Sequence, residues 1–252
     1  MTHSCRPIAL LVAVCLALRL SPAEVSDVLA ADAAAAVAAR QSAKRPDPAL
    51  SPIEDVPGLP RVLLIGDSIS IGYTLPTREL LDGKANVHRI PTNGGPTTRG
   101  LEQLDRWLGD SRWDVIHFNF GLHDLKHADA KGTLVDVSQG PRQVDLDAYR
   151  ANLRAIVRRL KATGATLIWC TTTPVPPGAK GRVPGDEVAY NAAAAEVMKD
   201  EGVATNDLHA FAASRLAEIG KPADVHYTPS GSEVLATQVA SRIEAALPKP
   251  VR

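Results

Sequence analysis

Cysteine is scarce in this sequence, with three residues among 252. Two of them, Cys5 and Cys15, lie in the N-terminal segment, and only Cys170 lies further along the chain. If that segment is removed, Cys170 has no partner for an intramolecular disulfide, and a chain of this length can bury enough apolar surface to fold without one. The apolar run that contains Cys170 is typical of a buried strand, in which a thiol packs as a small hydrophobic group.

The sequence also lacks an excess of charge of either sign. Lysine and arginine number 28, aspartate and glutamate number 28, and the formal net charge at pH 7 is zero. Proteins that bind nucleic acid usually carry a basic excess, so we expect no nucleic-acid partner. No acidic run of the kind that forms a solvating tail is present either.

Long hydrophobic runs are missing as well. The apolar run at residues 7–18 is too short to span a bilayer, is bounded by Arg19 and has the length of a signal-peptide core. Small residues follow, with candidate cleavage sites after Ala23 or Ala30. We therefore interpret residues 1–30 as a signal peptide and expect an exported protein, periplasmic or secreted, without stable membrane association after cleavage. A retained N-terminal anchor is the alternative.

Residues 31–60 are rich in alanine and then in proline, a composition typical of a linker. From residue 61 to 252, short apolar runs alternate with amphipathic helical patterns. Five of these runs are predicted strands: 61–66, 86–90, 113–121, 165–174 and 203–207. Strands that alternate with helices predict one three-layer α/β/α sandwich around a central, mostly parallel five-stranded sheet. Ligand sites in such sheets lie beyond the carboxyl ends of the strands.

A serine ends the first predicted strand, in the sequence Gly-Asp-Ser at 66–68. It is either a helix cap or a nucleophile, and a nucleophile needs a base for its proton and donors for the developing oxyanion. His226, in the loop before the last predicted helix, is the candidate base, and Asp224 two residues upstream can orient its imidazole. The backbone amides of Ser68 and Gly95 are candidate oxyanion donors.

Four short segments resemble the sequence blocks of the SGNH/GDSL hydrolases, in the order in which that family has them. They are "IGDSIS", "NGGPTTRG", "FNFGLHD" and "DVHYT", and they extend from about residue 61 to the last predicted helix. The resemblance implies an esterase with a flavodoxin-like α/β/α sandwich that needs neither a cofactor nor a metal ion. It also implies Ser68 as nucleophile, His226 as general base, and the amides of Ser68 and Gly95 as oxyanion donors.

Two positions depart from the family pattern. His123 stands where the third block usually has asparagine, and a neutral imidazole can still donate one hydrogen bond to an oxyanion, whereas an imidazolium would add charge and pH dependence. The acid of the last block usually lies three residues before the histidine, where this chain has Ala223. Asp224 lies one residue later, which leaves open whether it completes a triad or whether Ser68 and His226 act as a dyad.

Other polar residues near these blocks have alternative explanations. Asp67 is expected to brace the loop that carries Ser68, and Asp124 to accept hydrogen bonds from backbone amides. His123 and His127 are four residues apart, as in a helical zinc pair, so a metal-dependent hydrolase is one alternative.

Two long segments, 126–145 and 171–187, follow predicted strands and can shape a substrate cleft. Each contains an arginine, Arg142 and Arg182 respectively, that can bind a carboxylate or sugar hydroxyls or remain a solvated charge.

Together these features predict an exported serine esterase that hydrolyses small acyl esters, chiefly O-acetyl esters, by a Ser-His(-Asp) acyl-enzyme mechanism. The expected partner is a small-molecule or carbohydrate ester, and the carbohydrate rests on export and family analogy alone. The alternative is a catalytically weakened carbohydrate-binding protein on the same scaffold, which His123 and Ala223 suggest.

Overall fold

The computed structural model describes residues 47–248, so the predicted signal peptide and the first part of the predicted linker lie outside the described residues. One parallel sheet of five strands forms the centre, in the order β2-β1-β3-β4-β5. The strands are β1 (Arg61–Ile65), β2 (Asn86–Arg89), β3 (Val115–Phe118), β4 (Thr166–Cys170) and β5 (Ala204–Asn206).

Helices cover both faces of this sheet. They are α1 (Ser68–Leu80), α2 (Thr97–Leu108), α3 (Leu146–Lys161), α4 (Asp186–Glu201), α5 (Leu208–Ala213), α6 (Leu216–Ile219) and α7 (Pro229–Ala246). The chain moves outward from β1 to β2 and then in the opposite direction through β3, β4 and β5. Because such crossovers are right-handed, α1 lies on one face and α2, α3 and α4 lie on the other, while α7 packs against α1. The predicted three-layer sandwich is confirmed.

The core lies where the strands meet these two helix layers. Residues 62–65 of β1 and 115–118 of β3 are buried throughout, because both strands have neighbours on each side and helices on each face. The apolar stripe of α3, which has the helical period, faces the sheet. Its buried members are Tyr149, Leu153, Ile156, Val157 and Leu160. Among residues 47–248, no helix has both the length and the apolar character needed to cross a membrane.

Residues 47–60, which composition assigns to a linker, are held against the sheet domain. The side chain of Asn86 accepts a hydrogen bond from the Val56 amide at 2.9 Å and donates one to the Val56 carbonyl at 3.0 Å. Arg78 of α1 donates to the Pro48 carbonyl at 3.1 Å. The packed part of the chain therefore begins before residue 61.

The strand order places one crevice at a specific point. After β1 the chain turns to one side of the sheet, and after β3 it turns to the other, so the connections at their carboxyl ends diverge. Ligand sites of open parallel sheets lie at such a point. Ser68 follows β1 and His123 follows β3, so the topology brings two of the predicted site residues to the same edge.

Candidate active site

Ser68 is the first residue of α1, immediately after the turn that ends β1. The helix is capped by its neighbour, because the side chain of Asp67 accepts a hydrogen bond from the Ile69 amide at 2.9 Å. Asp67 is buried and braces the turn as expected, while Ser68 is half-buried. The serine hydroxyl is thus free of a capping role, and the partially positive N-terminus of a helix lies beside it.

His226 reaches this serine from the loop before α7. Its Nε2 lies 2.9 Å from the Ser68 Oγ, and its Nδ1 lies 2.6 Å from Oδ1 of Asp224. A carboxylate at Nδ1 stabilises the tautomer that carries its proton there, which leaves the Nε2 lone pair facing the hydroxyl. The three side chains form one continuous hydrogen-bonded chain, with Asp224 in the third place.

The position of Asp224 depends on an unusual backbone conformation at Ala223. This is the one non-glycine residue of the described part with a positive φ, +54°. The carboxylate of Asp224 accepts a second hydrogen bond, from the backbone amide of His226 at 3.1 Å. Partial burial disfavours ionisation of Asp224, but the hydrogen bonds from the side chain and backbone of His226 outweigh it, and the pKa of Asp224 lies below its usual value. The carboxylate is therefore ionised at neutral pH.

A buried cation supports the turn that carries Ser68. Nη2 of Arg89, at the end of β2, donates to the carbonyl oxygens of Gly66 at 2.9 Å and Asp67 at 3.0 Å. Burial lowers the pKa of Arg89 to about 10, so it stays charged at neutral pH. Sequence reasoning did not single out this residue, because β2 reads Asn-Val-His-Arg and an arginine among polar residues does not indicate burial.

Two glycines allow the loops of the crevice to touch. The Gly94 amide donates to the Gly66 carbonyl at 2.9 Å, and a Cβ at Gly94 would lie 2.9 Å from that same oxygen. A side chain there would separate the loop after β2 from the turn of Ser68.

The predicted oxyanion donors differ in their hydrogen bonding. Among residues 47–248, no acceptor is found for the Ser68 amide, which leaves it available to an anion. The Gly95 amide donates to Oδ1 of Asn93 at 2.9 Å, in a turn where Gly95 has φ +68°. Gly95 therefore has to share or release that bond to serve an oxyanion, and its role stays a prediction.

His123 lies in the loop after β3 and lines the same groove as Gly95. Burial lowers the pKa of His123, and the positive charges of Lys126, Arg182 and Arg99 lower it further against the opposing effect of Asp67. The imidazole is therefore neutral at neutral pH, the form in which it can donate one hydrogen bond without adding charge.

Asp124 connects this loop to the start of α2. Its Oδ1 accepts hydrogen bonds from the Thr97 amide at 2.8 Å and from the Thr97 hydroxyl at 2.5 Å. The capping position itself, Pro96, supplies no side-chain hydrogen bond, so Asp124 acts as the cap from another segment. Burial raises the pKa of Asp124 to about 7, against the hydrogen bonds from Thr97.

The metal alternative has no geometric support among the described residues. Nδ1 of His127 hydrogen-bonds the Gly140 carbonyl at 2.7 Å, so it carries the proton there. In residues 47–248, no three histidine, cysteine, aspartate or glutamate side chains converge as metal ligands.

The two arginines of the long segments have structural partners. Arg142 forms a bidentate ion pair with Asp186, at 2.8 and 2.9 Å. Nε of Arg182 donates to the Leu122 carbonyl at 3.0 Å and so supports the backbone next to His123.

Comparison with known protein families identifies the family of this chain. Residues 64–234 match the GDSL-like Lipase/Acylhydrolase family. The chain belongs to that family. The resemblance seen in the four sequence blocks is thereby confirmed, and the protein is a hydrolase that acts on ester bonds. A comparison of this hydrolase with curated protein sequences gave no significant match.

Solved structures with a similar fold include three hydrolases. The lipase/acylhydrolase of Enterococcus faecalis aligns with a TM-score of 0.62 and 18% identity, over 77% of this chain and 100% of that one. The acetyl xylan esterase AlAXEase aligns with a TM-score of 0.60 and 17% identity, over 73% and 99%. Axe2, an acetylxylan esterase of Geobacillus stearothermophilus, aligns with a TM-score of 0.61 and 17% identity, over 73% of this chain and 94% of that one. At these identities the likeness concerns the fold.

Proposed function

We propose that this hydrolase is an exported serine esterase that removes small acyl groups, chiefly O-acetyl, from carbohydrates. The hydrogen-bonded chain from Ser68 through His226 to Asp224 carries the proposal. A serine hydroxyl becomes an effective nucleophile when a positioned imidazole accepts its proton, and the distances here meet that requirement.

Acylation begins with proton transfer from the Ser68 Oγ to Nε2 of His226. The Oγ forms a bond to the ester carbonyl carbon, and the electron pair of the carbonyl π bond moves to its oxygen. The Ser68 amide and the neutral His123 side chain donate hydrogen bonds to this oxyanion, with the Gly95 amide as a third donor. As the oxyanion collapses, the bond to the leaving alcohol breaks, and Nε2–H of His226 protonates the alcohol oxygen.

Deacylation repeats these steps with water. His226 takes a proton from a water molecule, and the water oxygen attacks the acyl carbon. The bond to the Ser68 Oγ then breaks, His226 returns the proton to the serine, and the carboxylic acid leaves. The ionised Asp224 stabilises the imidazolium formed in each half of the cycle. Each step uses side chains and backbone amides of this chain and water, and no cofactor enters.

Two observations support a carbohydrate as the alcohol. Two of the structures with a similar fold are acetyl xylan esterases, and the N-terminal sequence has the pattern of an export signal, which would bring the enzyme to extracellular glycans. The localisation is itself part of the proposal. N-terminal sequencing of the protein from the periplasm or medium tests it, with cleavage expected after Ala23 or Ala30.

The catalytic proposal is tested by labelling and turnover together. A fluorophosphonate probe should modify Ser68 in the wild-type protein, and the wild type should cleave p-nitrophenyl acetate and acetylated xylo-oligosaccharides. Ser68→Ala should lose both labelling and turnover, by about 10³-fold or more in kcat, while keeping the fold by circular dichroism.

The same experiment separates the esterase from a binding protein on the same scaffold. A folded wild-type protein that resists the probe and still binds acetylated sugars would be the binding protein. Turnover that survives in Ser68→Ala would remove Ser68 from the reaction.

A further inference from the structure

A polar groove begins at the candidate active site and leads away from it. Its volume is about 670 Å³, and it lies between the N-terminal part of α2 and the segment after β3. Gly95 and His123, two candidate oxyanion donors, are among the residues that line it. A volume of this size accommodates a ligand rather than a few water molecules.

Positive charge dominates this groove. Arg99, Lys126 and Lys131 line it, against a single carboxylate, Glu102. Within the described residues, none of the three cations forms an ion pair with a carboxylate. Lys126 donates to the Gly132 carbonyl at 3.1 Å instead, and Asp129 is the carboxylate whose charge acts on it without forming an ion pair. Arg99 and Lys126 also depress the pKa of His123, which places their potential at the candidate site itself.

A second cavity, of about 750 Å³, continues the groove. Thr98 and Gln143 line both cavities, and His127 and the ion pair of Arg142 with Asp186 line the second one only. The two cavities are therefore neighbouring parts of one cleft, bordered by the segment 126–145.

The second cavity is lined by side chains with unused hydrogen-bond acceptors. Since Nδ1 of His127 carries the proton that bonds the Gly140 carbonyl, its Nε2 has a free lone pair. His127 is 9% exposed, and neither its Nε2 nor Oε1 of Gln143 has a partner among residues 47–248. Both atoms have almost no accessible surface, and a buried acceptor without a donor is costly, so a small movement of either side chain towards a ligand hydroxyl in the cavity is favoured.

We propose that this cleft binds an anionic glycan, with a negatively charged sugar unit against Arg99, Lys126 and Lys131 and the next unit at His127 and Gln143. This inference rests on the proposed function for the acyl group carried by the bound sugar, which reacts at Ser68. Sugar hydroxyls supply the donors that His127 and Gln143 lack, and a carboxylate or sulfate complements the three cations. The substrate is thereby an acylated glycan with uronate or sulfated units.

The test measures binding by calorimetry with Ser68→Ala, so that no substrate is consumed. The probes are three tetrasaccharides of equal length: an oligogalacturonate, a sulfated oligosaccharide and neutral xylotetraose. The anionic probes should bind about ten-fold more tightly than xylotetraose at low salt, and high salt should reduce the difference. The ranking of the two anionic probes identifies the source of the charge. Equal binding of the neutral and anionic probes would overturn the proposal.

Charge-removing variants localise the binding. Lys131→Gln and Lys126→Gln, each in the Ser68→Ala background, should weaken binding of the preferred anionic probe by about three- to ten-fold. Lys199→Gln is the matched control, because Lys199 is exposed in the last turn of α4, at the opposite end of the strands. His127→Leu should weaken binding of the tetrasaccharide more than it weakens binding of the corresponding disaccharide. Groove variants that match the control would contradict the proposal.

Turnover of p-nitrophenyl acetate by the wild-type protein distinguishes the two proposals. If this ester is cleaved and the three tetrasaccharides bind with equal affinity, the esterase proposal is supported and the anionic-glycan proposal is refuted. If no ester is cleaved and the anionic probes still bind through Lys126 and Lys131, the anionic-glycan proposal is supported and the esterase proposal is refuted.

Discussion

Nη2 of Arg89 lies 3.0 Å from the carbonyl oxygen of Asp67, so a buried guanidinium holds the turn that presents Ser68. The same nitrogen bonds the Gly66 carbonyl and the Ser70 hydroxyl, and Nη1 bonds the Ile90 and Thr92 carbonyls at 2.8 and 2.7 Å. One side chain from β2 thus ties together the two loops that border the candidate site.

Arg89→Met should destabilise the fold substantially. The substitution keeps most of the apolar volume but leaves buried carbonyl oxygens without donors, each costing about 1–3 kcal/mol. We expect a loss of about 3 kcal/mol or more in the free energy of unfolding, measured by urea denaturation. Arg242→Met, at an exposed position of α7, is the control and should change stability by less than about 0.5 kcal/mol. An Arg89→Met protein as stable as this control would show that the five hydrogen bonds contribute nothing net.

Asp224→Ala should reduce kcat while leaving the protein folded. Without the carboxylate, His226 loses both its orientation and the charge that stabilises its imidazolium, and a fall of about 10² to 10⁴-fold is expected. Because Asp224 is partly exposed, the lower end of that range is expected. Glu218→Ala removes a nearby exposed carboxylate and should retain the activity on p-nitrophenyl acetate. A fall of less than about three-fold in Asp224→Ala would indicate a dyad of Ser68 and His226.

His123→Asn should yield a working esterase, whereas His123→Ala should not. The pKa of His123 is lowered, so the wild-type imidazole acts as a neutral donor, and an asparagine amide can take that place. We expect kcat within about ten-fold of wild type for asparagine and a loss of about 10² to 10³-fold for alanine. If both variants fall to the same low rate on p-nitrophenyl acetate, the imidazole has a function that a donor amide lacks.

Asp124 should make the fold less stable as the pH rises towards neutrality. Its pKa is about 7 in the folded protein against a usual value of 3.8, so the folded state holds this proton more tightly than the unfolded chain. The stabilisation from this proton is fully present at pH values below 3.8, the usual pKa. It is lost as the pH rises through the pKa of about 7 in the folded state. Between pH 5 and pH 8 the wild type should lose on the order of 2 kcal/mol, at about 1.4 kcal/mol per pKa unit.

Asp124→Asn should flatten this dependence, because an amide does not titrate in that range. Urea denaturation of both proteins at the two pH values measures the difference. Asp82→Asn, at an exposed position, is the control for the loss of one surface carboxylate. A wild-type protein equally stable at both pH values would show that Asp124 is ionised throughout.

The outline of the fold was predictable because its signals are local. The apolar run of β1 and the periodic stripe of α3 report burial within a few residues of chain, and the structure confirms both. Ser68 and His226 were predictable as candidates from their positions after a strand and before a helix. The structure brings their side chains together, and their catalytic roles remain for the experiments above.

Other parts of the site depend on contacts between distant segments. Asp224 reaches His226 because the backbone of Ala223 is left-handed. This conformation is rare for alanine and could not be predicted from the sequence. Arg89 supports a turn 22 residues earlier in the chain. The cleft bordered by Lys126 and His127 forms only when the segment after β3 folds beside α2.

The sequence alone therefore determined the family, the alternation of strands and helices and the choice of Ser68 as the candidate nucleophile. Those follow from short-range periodicity and from motif order. Only the tertiary structure decided that Asp224 hydrogen-bonds His226 and that a cationic cleft adjoins the site. The hydrogen bond between Ser68 and His226 joins residues 158 positions apart, and such a contact exists only after the parallel sheet has brought its carboxyl ends to one edge.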